Sequence, residues 1–213
     1  VTGLGGVGKT RLALAVARQC TAPDGCWLVR LDDLSEPTLL LPAVAQALRL
    51  TEGAGASLQA LARALQPLQV ALVLDNAEHL VDAVAALAAH LLQATPGVRL
   101  LVTSQQPLHL ADEQVLPLAP LGLPADLADA APPPDSYAAA QLFCQRIAQQ
   151  MPDYAPAAAE RADIAAICRA LDGVPLALEL AAARVPLLGV AGVRARLDER
   201  FALLTRAPRD AAA

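Results

Sequence analysis

The sequence predicts an α/β fold in which a parallel sheet core is followed by a small all-helical domain. Short aliphatic runs alternate with helical stretches in the first part of the chain, and the run at residues 70–74 is apolar at every position. Strands that are covered on both faces require such a run, and strands that alternate with helices form parallel sheets. The composition changes after Leu121 to a Pro-rich stretch and then to purely helical patterns. We therefore predict a core at residues 1–121, a linker at 122–135 and a helical domain, the lid, at 136–213.

Four segments of the core are predicted strands and four are predicted helices. The strands are expected at residues 26–31, 69–75, 99–104 and 114–118. The last of these is expected at an edge, because Pro117 lacks the N–H that a central strand must donate. The helices are expected at residues 11–19, 38–50, 57–66 and 80–94. Only Val1 and Thr2 precede the loop at residues 3–10 and there is no initiator Met, so we expect most of a first strand to lie outside this chain.

The helical domain is predicted to contain four helices, at residues 136–150, 157–171, 175–184 and 190–204. Its most apolar stretch, residues 174–193, includes Glu179, Arg184 and two prolines. A spanning helix needs about 20 residues that are nearly free of charge. We therefore predict no transmembrane helix and no membrane partner.

Composition and charge narrow the class of protein. Hydrophobic residues make up 55% of the chain and aromatic residues 2%, so the core must consist of Leu, Val and Ala. The net charge of −5 argues against a nucleic-acid surface, because phosphate contacts require clustered Lys and Arg. The four cysteines contain no C-x-x-C pair, and the three histidines have no ligand set around them. We expect reduced, cytoplasmic thiols that mostly fill the core, and no metal site built on His.

Residues 3–10 read Gly-Leu-Gly-Gly-Val-Gly-Lys-Thr and form the pattern G-x-x-x-x-G-K-[ST]. In such a loop the backbone N–H groups surround a polyphosphate, the Lys reaches the β and γ phosphates, and the hydroxyl ligates Mg²⁺. An Ala- and Leu-rich helical run follows, as this mechanism requires. The alternative is a glycine-rich turn that caps an ordinary helix. The residues predicted to bind the nucleotide are Gly3, Gly5, Gly6, Val7, Gly8, Lys9, Thr10 and Arg11.

Asp75 is the second candidate for the site. It ends the aliphatic run of residues 69–75, and the ends of strands in such a sheet lie beside the phosphate loop. A carboxylate there can hold Mg²⁺ directly or through water, so we assign Thr10 and Asp75 to the metal, and Lys9 and Asp75 to catalysis. The alternative is that Asp75 is a helix N-cap or a turn residue. Its neighbour is Asn76 rather than a second acid that could orient water, so we expect slow hydrolysis.

Polar side chains also follow the strand predicted at residues 99–104. We expect Gln105 to reach toward a γ-phosphate from the neighbouring strand tip, and Gln106 is the other candidate for this role. The alternative is a plain transition from strand to turn that ends at Pro107. Glu78 is the nearest acid after the preceding strand, and it is also a candidate for the first turn of the next helix.

Four motifs occur in a fixed order, at residues 3–11 (GLGGVGKTR), 72–80 (LVLDNAEHL), 101–105 (LVTSQ) and 171–184 (LDGVPLALELAAAR). The set resembles the STAND/NB-ARC-type P-loop ATPase module, in the version that large bacterial transcriptional regulators combine with a winged-helix or LuxR-type DNA-binding domain. The resemblance spans nearly the whole chain. It implies a P-loop NTPase core with a helical lid, and ATP or ADP with Mg²⁺ as cofactors. It also implies that Pro175 lies near the adenine.

The resemblance further implies a nucleotide switch, with an ADP-bound closed form and an ATP-bound open form that self-associates. Many members carry Arg where this chain has Gln105 or Gln106, and a neutral amide distinguishes ATP from ADP more weakly than a charged group. The leading hypothesis is an ATP/ADP-binding regulatory module, with slow ATPase activity, of a bacterial signal-responsive transcriptional regulator. Such a module reaches DNA only through domains outside this chain. The alternatives are a kinase-type P-loop enzyme and a scaffold that binds ADP without hydrolysing ATP.

Overall fold

The computed structural model describes the backbone of residues 1–123 and 136–205, and the side chains up to Leu197. The chain divides into two compact units, Val1–Ala119 and Pro120–Ala213. Most of the predicted linker lies outside the described residues. Each unit is built around its own hydrophobic cluster.

The first unit contains a three-stranded parallel sheet. Its strands are β1 (Cys26–Arg30), β2 (Ala71–Asp75) and β3 (Arg99–Val102), in the spatial order β1-β2-β3. Each strand lies within a segment that the sequence predicted, although each is shorter than predicted. In the register of the sheet, Leu74 is opposite both Val29 and Val102. The sheet with its surrounding helices confirms the predicted α/β class.

Thr2 extends this sheet beyond β3. It forms single parallel bridges to Ser104 and to Pro117. The Thr2 N–H donates to the Leu116 carbonyl (2.9 Å), and the Thr2 carbonyl accepts the Leu118 N–H (2.7 Å). The prediction of a full strand at residues 114–118 is therefore wrong in extent. Pro117 has no N–H to donate, and its two neighbours supply the hydrogen bonds instead.

Four helices surround the sheet: α1 (Lys9–Arg18), α2 (Leu40–Ala47), α3 (Leu58–Leu65) and α4 (Val81–Ala94). Helix α2 is shorter than the predicted 38–50, because Arg49 is left-handed (φ 54°) and the Leu50 N–H returns to the Ala45 carbonyl (3.0 Å). This pattern ends a helix. The fully buried side chains of the unit include Leu31, Leu40, Leu61, Leu65, Leu72, Leu74, Leu87 and Leu91. The core is thus aliphatic, as the composition requires.

Helix α3 begins at a side-chain cap. Ser57 is extended, and its hydroxyl accepts the Ala60 N–H (3.1 Å). We expect Ser57→Ala to lower the free energy of unfolding by about 1 kcal/mol, because one N–H of the first turn loses its acceptor. Denaturant unfolding measures this. The control is Ser35→Ala, in the exposed loop before α2, which should change stability by less than about 0.5 kcal/mol. Equal losses in both variants would contradict the cap.

The second unit contains helices and no strand among its described residues. It contains α5 (Ala138–Gln150), α6 (Arg161–Ala170), α7 (Pro175–Ala182) and α8 (Val185–Thr205). Helix α8 is interrupted at Gly189, whose backbone is not helical (φ 69°, ψ 167°), so its longer segment begins at Val190, where the sequence predicts a helix. The buried side chains that fill this unit include Phe143, Ile147, Ile164, Ile167 and Leu178. Arg146 and Glu179 form an ion pair (2.7 Å) that joins α5 to α7.

A helix that crosses a membrane needs about 20 predominantly apolar residues. In the described residues, no single helix is both long enough and apolar enough to cross a membrane. The segments Pro175–Ala182 and Val185–Leu197 meet the requirement only when joined, and they are bent by 120° relative to each other.

Candidate functional site

Residues 3–8 of the phosphate loop connect Thr2 in the sheet to Lys9, the first residue of α1. Gly6 and Gly8 are left-handed (φ 75° and 104°), a conformation that favours glycine. Gly3 (φ 148°) also packs closely, since a Cβ there would lie 2.6 Å from the Leu118 carbonyl oxygen. A Cβ at Gly5 or Gly8 would meet nothing within 4 Å. The loop therefore has a backbone that only its glycines permit, with open space beside part of it.

Lys9 folds back over this loop. Its ammonium donates to the carbonyls of Gly3 (2.9 Å) and Leu4 (3.0 Å), and the residue is only 8% exposed. An ammonium has three donors, so two bonds orient it without using its full capacity. Val7, which is also buried, anchors the middle of the loop. Lys9 therefore holds a positive charge against the loop backbone.

The N-terminus of α1 adds to this positive charge. The N-cap is Gly8, which offers no side chain to the helix, and the first turn contains no acid. The N–H groups of the first turn, which include those of Thr10 and Arg11, have no acceptor within a helix. Together with the helix dipole they favour an anion at this position. The Arg11 residue itself is exposed.

Asp75 lies where β2 ends and is 5% exposed. Its Oδ1 accepts two hydroxyl donors, Thr10 Oγ1 (2.8 Å) and Thr103 Oγ1 (2.5 Å). The structure thus brings together the two residues predicted to bind the metal. It contradicts the alternative of an N-cap, because α4 begins at Val81 and its N-cap is Leu80.

Thr103 is a residue of this site that the sequence analysis missed. Besides donating to Asp75, its hydroxyl accepts the backbone N–H of Asn76 (2.9 Å). It follows β3 directly and is buried. The available signal is its position in the same polar segment after a strand that contains Gln105 and Gln106. Thr103 therefore connects the ends of β2 and β3.

The two hydrogen bonds of the Thr103 hydroxyl predict that its removal lowers the stability of the fold. We expect Thr103→Val to lower the free energy of unfolding by about 2 kcal/mol, because Asp75 loses a donor and the Asn76 N–H loses its acceptor. The control is Thr95→Val, whose buried hydroxyl donates to the Leu91 carbonyl, which already accepts the Thr95 N–H. That change should cost about 1 kcal/mol or less. If denaturant unfolding gives Thr103→Val no larger cost than Thr95→Val, the bridging role is refuted.

The Gln105 side chain is bonded to a neighbouring acid. It is exposed, and its amide Nε2 donates to Glu78 Oε1 (3.0 Å). Within the described residues, the other Glu78 oxygen is buried and has no hydrogen-bond partner. Gln106 uses its backbone N–H to reach the Ser104 hydroxyl (3.3 Å). A contact from either glutamine to a phosphate stays a prediction.

Asn76 adopts a left-handed conformation (φ 68°), which turns the chain immediately after Asp75. Asn tolerates this conformation better than most residues. No group of three or more His, Cys, Asp or Glu suited to a metal occurs in the part of the chain that the structure describes. A magnesium ion here would therefore use Asp75 and Thr10 together with phosphate oxygens and water, which is how Mg²⁺ usually binds beside nucleotides.

Pro175 belongs to the second unit. It is the first residue of α7, where its fixed φ favours helix formation. In the preceding turn, the backbone of Gly173 (φ 64°) approaches Leu121 closely. A Cβ at this position would lie 2.3 Å from the Leu121 carbonyl oxygen. This close approach explains the Gly in the motif at residues 171–184. The contact of Pro175 with adenine stays a prediction.

The donor set suits a nucleoside polyphosphate with Mg²⁺. Lys9, the loop backbone and the start of α1 offer positive charge and N–H donors, and the Thr10–Asp75 pair offers oxygen ligands. No single feature of this set is specific, but all of them lie at the start of α1 and at the carboxyl end of β2. Ligands of parallel α/β sheets bind at this end.

Comparison with known proteins identifies relatives of the whole chain. Over 210 residues it is 35% identical to a protein of Mycobacterium bovis that is provisionally named an HTH-type transcriptional regulator, covering 98% of this chain and 22% of that protein. It is also 35% identical over 210 residues to an uncharacterized protein of Mycobacterium tuberculosis, covering 97% of this chain and 50% of that protein. The chain thus spans half or less of the length of these relatives.

Structure and family comparisons concern the fold. The chain resembles the C. elegans protein PCH-2 with a TM-score of 0.49 and 13% identity, over 95% of this chain and 60% of that one, a likeness too distant to bear on function. Residues 1–110 match the AAA domain family. The matched residues make up more than half of the chain and include the loop, the three strands and α1 to α4. The chain therefore belongs to the AAA domain family.

Proposed function

We propose that this chain is an ATP/ADP-binding switch module of the STAND/NB-ARC type, with slow ATPase activity, in a cytoplasmic, signal-responsive bacterial transcriptional regulator. The observation that carries the proposal is the hydrogen bond between Thr10 and Asp75, next to Lys9 in the phosphate loop. The match to the AAA domain family supports nucleotide binding, and the name of the Mycobacterium bovis relative supports the regulatory role.

Binding would depend on Lys9 and the loop. The loop N–H groups and the start of α1 would receive the phosphates, and Lys9 would exchange the Gly3 and Leu4 carbonyls for phosphate oxygens. Thr10 and Asp75 would hold Mg²⁺, which supplies neutralisation of the phosphate charges. Arg11, at the start of the same helix, would lie beside the nucleotide.

Hydrolysis would be slow because the site has few groups that can activate water. Asn76 stands directly after Asp75 and has no carboxylate, and general-base catalysis is worth roughly 10²–10⁴-fold in rate. Glu78 is the nearest acid, and one of its oxygens is bonded to Gln105. A site that binds phosphates but activates water poorly suits a slow nucleotide switch better than an enzyme that hydrolyses ATP rapidly.

Switching would arise from the second unit. As a lid, it would bring Pro175 to the adenine, and ATP and ADP would favour different arrangements of the two units. A nucleotide shifts such an equilibrium only by its differential affinity for the two states. We propose that the ATP form self-associates, and that DNA is reached through domains outside this chain. The regulator relative has room for such domains, since the chain covers 22% of it.

A single-turnover assay tests this function. The purified chain, in excess over ATP labelled on its γ-phosphate, should release inorganic phosphate at less than about 0.01 per second, well below the roughly 1–10³ per second of typical enzymes. Label in an acceptor molecule would instead indicate a kinase. ATP that stays intact while ADP binds tightly would indicate a scaffold without hydrolysis. No binding of either nucleotide would refute all three.

A further inference from the structure

The chain that follows β2 lies across the carboxyl end of β3, next to the phosphate loop. The Asn76 N–H donates to the Thr103 hydroxyl (2.9 Å), and the Ala77 N–H donates to the Thr103 carbonyl (2.9 Å). Ser104, the next residue along, forms a bridge to Thr2, the residue before the loop. The segment after β2 is therefore held against residues that border the phosphate loop.

Glu78 places a carboxylate on this segment. Its Oε1 accepts a hydrogen bond from the side-chain amide of Gln105 (3.0 Å), and Gln105 directly follows Ser104. This bond joins the segment after β2 to the residues after β3 for a third time. Because it holds one of the two carboxylate oxygens, it also restricts the orientation of the other. The Glu78 carboxylate is thus oriented by a residue next to the bridge that leads into the loop.

The second oxygen of Glu78 is buried and accepts a hydrogen bond from none of the residues that the structure describes. Buried polar atoms nearly always have a partner, and the cost of leaving one unpaired is greater for a charged group. The fold thus keeps a costly acceptor with a free lone pair. A general base needs such a lone pair within hydrogen-bond reach of the proton that it removes.

The carboxylate does not cap the helix that follows it. Helix α4 begins at Val81, its N-cap is Leu80, and no described side chain caps its first turn. His79, the other side chain of this segment that can take up a proton, is bonded to the Leu34 carbonyl (3.0 Å). Leu34 follows β1, on the side of β2 away from β3. Glu78 is therefore the base of this segment that lies beside the phosphate loop.

We propose that Glu78 is the general base of ATP hydrolysis and that Gln105 is the residue that positions its carboxylate. The inference rests on the proposed ATPase function and names the group that activates water there. Glu78 Oε2 accepts one proton of a water molecule, whose oxygen forms a bond to the γ-phosphorus. The bond from this phosphorus to the oxygen that bridges it to the β-phosphate breaks, and ADP leaves with the electron pair. Glu78 then releases the proton to solvent.

Single-turnover hydrolysis of ATP labelled on its γ-phosphate, with the full chain in excess, tests the base. Glu78→Gln keeps the size of the side chain and should lower the rate about 100-fold, since general-base catalysis contributes roughly 10²–10⁴-fold. The dissociation constants of ATP and ADP should change by less than about threefold, because this interaction acts in the transition state. The control is Glu52→Gln, which removes the same charge from an exposed turn of the first unit and should leave the rate within about twofold.

Gln105→Leu tests the positioning role. It removes the amide donor at a similar size and should lower the rate about tenfold, because the carboxylate loses its fixed orientation. The same change made in Glu78→Gln should lower the rate no further, since a residue that acts through Glu78 has no effect once the carboxylate is gone. A further loss in the double variant, or a selective loss of ATP affinity in Gln105→Leu, would show that Gln105 acts on the phosphate directly and would overturn its positioning role.

The remaining outcomes separate this inference from the proposed function. A Glu78→Gln variant that hydrolyses ATP at the wild-type rate would overturn the assignment of the base and leave the slow ATPase intact. A wild type that binds ATP without cleaving it would refute both the base and the ATPase, while nucleotide binding would stand. A wild type that binds neither nucleotide would refute the proposed function itself.

Discussion

Lys9→Ala is expected to weaken the binding of both ADP and ATP by roughly 100-fold. The ammonium is the charged group of the loop, and charge-assisted hydrogen bonds are worth about 1.5–3 kcal/mol each. Its present bonds to the Gly3 and Leu4 carbonyls hold it against the loop backbone, so little reorganisation precedes phosphate binding. Titration calorimetry or a fluorescent ADP analogue measures the dissociation constants.

Two further variants make this result specific. Lys9 is nearly buried, so Lys9→Met, which keeps most of the aliphatic stem, tests the charge with less loss of packing. It should lose binding to the same extent as Lys9→Ala. Arg18→Ala removes one positive charge from the other end of α1, where the side chain is exposed, and should leave both affinities within about twofold. Unchanged dissociation constants in both Lys9 variants would refute the site.

The phosphate loop could be predicted from sequence because its mechanism is local. Eight consecutive residues contain the glycines, the Lys and the hydroxyl, and the structure gives Gly6 and Gly8 the left-handed backbone that the pattern requires. The strand at residues 69–75 could be predicted for a similar reason, since a continuous aliphatic run has few alternatives. The α/β class followed from both.

The partners of Asp75 could not be predicted in the same way. Thr103 is far from Asp75 in the chain, and the contact depends on the register of β2 with β3, which the sequence does not display. The sequence points to Gln105 as a contact for a γ-phosphate, and in this structure its amide is bonded to Glu78. Short side chains at strand ends become important only when the neighbouring strand is known.

The limits of helices and strands were less predictable than their existence. The strand expected at residues 114–118 is a single bridge, because its partner is one residue, Thr2. Helix α2 ends early because Arg49 adopts a left-handed conformation that its residue type does not favour. In each case, tertiary contacts or backbone geometry outweighed local propensity.

Asp75→Asn is expected to remove most of the magnesium dependence of ATP binding. The Asp75 carboxylate accepts from Thr10 and Thr103, and Asn keeps its shape and one oxygen acceptor but has no charge. Mg²⁺ is a hard cation that prefers charged oxygen ligands. In the wild type, ATP should therefore bind about tenfold more tightly with Mg²⁺ than with EDTA, and in Asp75→Asn by less than about threefold.

The control for this change is Asp112→Asn, which removes a charge from an exposed loop residue of the same unit and should retain the full magnesium effect. ADP affinity in EDTA should be similar in all three proteins, because Lys9 and the loop backbone would bind the phosphates without the metal. This measurement separates the loss of a metal ligand from damage to the fold, because damage to the fold would also weaken the binding of ADP in EDTA. A magnesium effect that persists in Asp75→Asn would place the metal on other groups and leave the Thr10–Asp75 contact a purely structural one.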